Sequence, residues 1–110
     1  ITALSTFLIL GDTPTYAGTI ASITVDTDDG LVELLAEPVT WGPDSNRTAY
    51  LVAEAAMDNY EAHGFTVASS RNCVLIKAPP GYGASANGWN VVVTPTGDVT
   101  TYDVKPMGGG

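Results

Sequence analysis

From Thr19 to Asp26 the chain reads TIASITVD, with Ala21, Ile23 and Val25 alternating with Ser22, Thr24 and Asp26. A period of two is that of a strand with one buried and one solvated face. Before it, the run TFLIL at 6–10 is rich in aromatic and branched residues and predicts another strand, closed by the turn residues Gly11-Asp12-Thr13-Pro14. Asp28-Asp29-Gly30 supplies a hairpin turn. The returning strand, 31–35, carries on through Glu37-Pro38 to Val39-Thr40-Trp41.

The period then changes. Ala49, Val52, Ala53, Ala56, Met57 and Tyr60 recur at the spacing of one helical face, and Arg47, Glu54, Asp58 and Glu61 fall on the other. Asp44 or Ser45 can accept hydrogen bonds from the free amides of the first turn, and Gly64 suits a left-handed helix end, so a helix is predicted over 45–63. Its inward alanines allow close approach to a sheet. Beyond it, 65–68 and 73–77 form a hairpin about the polar turn 69–72, and strands at 89–94 and 99–104 flank the turn Thr96-Gly97-Asp98. The expected fold is α+β: a mainly antiparallel sheet with the helix 45–63 packed on one face. Residues 1–107 form the single domain and 108–110 a flexible glycine tail.

Composition narrows the function. Of 110 residues, 45% are hydrophobic and 15% charged, which describes a folded chain with a sparsely charged surface. The net charge is −8, and the only cations, Arg47, Arg71, Lys77 and Lys105, are scattered along the sequence. Nucleic-acid backbones and anionic membranes are bound by clustered cations, so neither is an expected partner. The best candidate for a membrane span, Phe7 to Leu10, is far short of the ~20 apolar residues of a membrane helix. A lone cysteine, Cys73, cannot form an internal disulfide, which points to synthesis inside a cell.

Candidate chemistry is thin. Within APPGYGASANG, Gly81, Gly83 and Ala86 match G-x-G-x-x-A, yet the segment that follows is β-rich and offers no helix N-terminus for a pyrophosphate. It reads as a long strand-to-strand connection. Asp26-Thr27-Asp28-Asp29-Gly30 with Glu37 echoes a calcium loop, but glycine falls where a third oxygen ligand belongs, so a hairpin turn is the reading. Ser85 lacks the context of a nucleophile elbow, His63 reads as a charge at a helix C-terminus, and Cys73 as a small core residue. No catalytic residue, metal or cofactor is expected. Trp41, Tyr82 and Trp89 are the candidate interface residues, as aromatics that anchor protein contacts or stack on sugars.

Two strands, an Ala-rich helix and then GFTVASSRNCVLIKAPPGYGASANGWNVVVT resemble a ββαββ module of bacteriophage tail and other virion proteins, and also short motifs of flagellar filament-associated proteins. Gly64, Phe65, Ala68, Asn72, Ile76, Ala78, Gly81, Gly83, Asn87 and Gly88 carry the likeness across roughly residues 20–100; Pro79-Pro80 and the N-terminal segment lie outside it. The resemblance implies no catalytic residues. It implies a structural subunit of a phage virion, tail-associated, made in the host cytoplasm and assembling with its own copies and with other virion proteins. The alternatives are a capsid decoration or cement protein, and a small carbohydrate-binding module using Trp41, Tyr82 or Trp89.

Overall fold

The computed structural model describes residues 3–10 and 17–110. The turn expected at Gly11–Pro14 lies outside them. The fold is α+β with antiparallel pairing throughout, as the patterning implies. Its strands form two sheets rather than one. The first joins β5 (Thr66–Ser70), β6 (Cys73–Lys77), β1 (Leu4–Leu10) and β8 (Thr100–Tyr102) in that order. The second is built on β2 (Gly18–Thr27), with β7 (Asn90–Gly97) along one edge and β3 (Gly30–Glu33) and β4 (Val39–Thr40) in succession along the other.

Long-range contacts explain the departures from the local reading. β2 carries a bulge between Ile20 and Ser22, which switches the pleat. Ile20 therefore joins Ile23 and Val25 in the core, and Ala21, expected there, is half exposed. The strand expected from 31 onward splits because Glu33 turns back onto the sheet. Its carboxylate accepts from Ile23 N–H at 2.9 Å and Leu35 N–H at 3.1 Å, and after the Leu34 N–H bond to Ile23 O the strand pairing lapses until Val39.

The helix is also divided, into α1 (Ser45–Asp58) and α2 (Tyr60–His63). Asp44 caps it, accepting Arg47 N–H at 2.8 Å. At the break the Ala56 carbonyl accepts both Asn59 N–H at 3.1 Å and His63 Nε2 at 2.8 Å, so a ring inserts where the backbone ladder would continue. His63 Nδ1 accepts Phe65 N–H at 2.8 Å, so the ring braces the chain's exit from the helix. Gly64 caps α2 at φ +76°. The buried face is Thr48, Ala49, Val52, Ala53 and Ala56; Met57 and Tyr60, expected inward, are exposed. Thr48 is tolerated there because its hydroxyl donates to Asp44 O and accepts Gly42 N–H.

The alanine face packs on the inner side of the first sheet, against β5, β6 and β1. Phe7, Ile9, Val67, Val74 and Ile76 fill that side, and the same core continues to Ile23, Val25 and Val91 of the second sheet. The last residues join the sheets. Lys105 N–H donates to Thr6 O, Gly108 exchanges both backbone bonds with Leu4, and Met107, itself buried, bonds Trp89 O and Gly88 N–H. Of the terminal glycines, read from sequence as a flexible tail, Gly108 pairs with Leu4 through backbone hydrogen bonds and Gly110 bonds the Asn87 amide in both directions.

Candidate functional site

The 78–88 connection meets the β2–β3 hairpin tip at one end of β2. Trp89 Nε1 donates to Asp28 Oδ1 at 3.2 Å and Tyr82 Oη to Asp29 Oδ2 at 3.4 Å. The two rings meet edge to face, 5.0 Å between centroids, and Trp89 lies 6.3 Å from Phe65. Thr27 Oγ1 donates to Gly30 O and accepts Asp29 N–H, which makes the acidic tip a hairpin turn. Its carboxylates face an indole and a phenol. Among the described residues no three His, Cys, Asp or Glu side chains gather as a metal site requires.

The G-x-G-x-x-A stretch contains a single 3-10 turn, Gly83–Ala86, and then leads into β7. Gly81 and Gly83 take φ of +97° and +52°, and a Cβ on either would meet nothing within 4 Å. They serve the path of the backbone and not a close neighbour. This is the geometry of a strand-to-strand connection.

The three candidate aromatics do not share one surface. Trp41 N–H bonds Gly18 O at the start of β2, whereas Trp89 precedes Asn90, which pairs with Asp26 near its end. Eight residues at about 3.3 Å each put ~26 Å between those ends. Trp41 and Trp89 are 8% and 5% exposed, so neither ring is presented outward by a single chain, and Tyr82 is half-buried against Trp89.

A surface whose residues the sequence did not single out is the outer face of the first sheet, opposite the helix. Strand register places Ala68, Leu75 and Thr6 in one row, Cys73, Leu8 and Tyr102 in the next, and Leu4 and Leu10 at the ends of β1. Leu4, Leu10 and Tyr102 are exposed to 40%, 39% and 62%. β1 is therefore apolar on both faces, with Phe7 and Ile9 inward and Leu8 and Leu10 outward. Strands of that kind are normally covered on both sides. Residues 6–10, TFLIL, carried this signal, since they do not alternate.

Charge divides the two outer faces. Lys77 stands opposite Leu4 on the first sheet, and Lys105 lies beside Thr6. Lys105 is bonded to Asp103 at 2.6 Å; that hydrogen bond and the charge behind it hold the ammonium above its ordinary pKa, so it stays cationic. The outer face of the second sheet carries Asp26 and Glu33 among Thr19, Ser22, Thr24, Thr94 and Thr96, with Val92 and Leu31 exposed. Its strands contain no lysine or arginine. No helix among the described residues is long and apolar enough to cross a membrane. No protein-family model, curated protein or solved structure matches this chain.

Proposed function

We propose that this chain is a non-enzymatic structural subunit of a bacteriophage virion, tail-associated, made in the host cytoplasm and working by assembly with its own copies and with other virion proteins. The observation that carries the reading is the exposed outer face of the first sheet, where Leu4 and Leu10 of β1, a strand apolar on both sides, and Tyr102 of the neighbouring β8 stand in water. Such a face is stabilised by a neighbour that covers it. The resemblance of residues 20–100 to ββαββ virion modules supports the same reading. The sugar-binding alternative used Trp41, Tyr82 or Trp89, and both tryptophans are buried at opposite ends of β2.

Light scattering behind a sizing column, at rising concentration, tests the proposal, with negative-stain microscopy of the peak. Rings, stacks or sheets at tens of micromolar are expected. A chain that stays monomeric throughout and binds a glycan array would replace this reading with the binding-module one. A monomer that coats preformed capsids would make it a decoration protein.

A further inference from the structure

We infer that the outer face of the first sheet docks on the outer face of the second sheet of another copy, head to tail, an inference that rests on the assembly reading above. Three observations combine. The first-sheet face is apolar at Leu4, Leu10 and Tyr102 and carries Lys77 and Lys105, of which Lys105 is paired with Asp103, so among these described residues the face is net positive through Lys77. The second-sheet face is acidic at Asp26 and at Glu33, whose carboxylate also accepts Ile23 and Leu35 N–H, and offers Leu31 and Val92, exposed to 69% and 54%, as apolar contacts. Both faces point away from one shared core, so a single chain cannot bring them together.

Like faces do not satisfy this arrangement. First face on first face would set lysines against lysines, and second on second would set carboxylates against carboxylates. Only the unlike pair matches in charge. Four strands about 4.8 Å apart and roughly five residues long give a footprint of about 300 Å², below the ~800 Å² per partner of a stable pair. An isolated contact is accordingly weak. Head-to-tail contacts repeat, however, giving a ring when the rotation closes and a filament when it does not.

The test uses two charge-reversed proteins: Lys77→Glu with Lys105→Glu, and Asp26→Lys with Thr94→Lys, all at exposed positions on the two faces. Circular dichroism checks that each is folded. Each alone should need about tenfold more protein than wild type for half-assembly, and an equimolar mixture should recover wild-type behaviour, since each repairs the other's contact. Asp26→Lys/Thr94→Lys assembling like wild type would overturn the inference, because the second face would then not be used. A mixture that fails to recover would overturn it as well. Should either charge variant unfold, Tyr102→Ala and Val92→Ala probe the two faces more gently, and both must weaken assembly; either one left unchanged overturns the pairing. If wild type assembles while none of these changes matters, the inference fails and the assembly reading stands. A wild type monomeric at every concentration ends both.

Discussion

Gly97 shows how one atom decides a strand junction. It sits at φ +64° opposite Gly18, and a Cβ there would overlap the Ala17 carbonyl oxygen. Gly97→Ala combines left-handed strain with a backbone clash and should cost about 2 kcal/mol or more. Calorimetry should show a fall in Tm of roughly 8 °C, against a smaller one for Gly81→Ala, whose Cβ meets nothing. On the helix, Ala56 is fully buried and Asp58 exposed. Ala56→Phe should therefore lose about 1–3 kcal/mol by overpacking while Asp58→Phe is nearly silent; equal melting temperatures would put the wrong face against the sheet. Tyr82→Ala should also reduce stability, by about 1–2 kcal/mol, because the ring packs on Trp89 and ties the 78–88 connection to Asp29. A variant that melts like wild type would show that those contacts contribute nothing to the fold.

Elements set by local chemistry were legible. The Asp44 cap, the alanine face, Gly64 and the hairpin turns expected at 28–30 and 69–72, the second of which tightens to 71–72, each follow from residues a few positions apart. What was not legible depends on residues far apart or on backbone alone. Glu33 splits the third strand by reaching ten residues back to Ile23, and Gly108 is held by the backbone of Leu4, about a hundred residues away in sequence. The candidate site divides in the same way. Composition names Trp41, Tyr82 and Trp89 but says nothing of their burial, whereas the unbroken apolar run of β1 already marked the face that lies open. The His63 brace can be checked at this scale. His63→Ala removes the acceptor of Phe65 N–H, and hydrogen exchange should show that amide losing protection, with a global loss of about 1 kcal/mol. Unchanged exchange at Phe65 would show that the ring does not hold the end of the helix.

At the scale of the whole molecule, a net charge of −8 acts at long range and the facing patches act at short range. The Debye length falls from about 30 Å at 0.01 M salt to about 8 Å at 0.15 M and 3 Å at 1 M. Raising salt to ~0.15 M should strengthen assembly by muting monopole repulsion, and raising it towards 1 M should weaken the lysine–carboxylate match. Light scattering across the series should pass through a maximum; a steady fall from the lowest salt would mean that ion pairing governs throughout. The molecule measures 42 × 23 × 18 Å. The antiparallel bridge between Leu4 and Gly108 brings the two described ends of the chain to one place. Tension applied at those ends acts across the strands, so their bonds are loaded one after another, as in opening a zip. Tension applied from Leu10 to Gly108 would run along β1 and load the row at once. Single-molecule pulling should find the first geometry yielding at lower force, so a subunit tethered by both ends would open first where residues 105–108 leave β1, while its helix and β5–β6 hairpin are still intact.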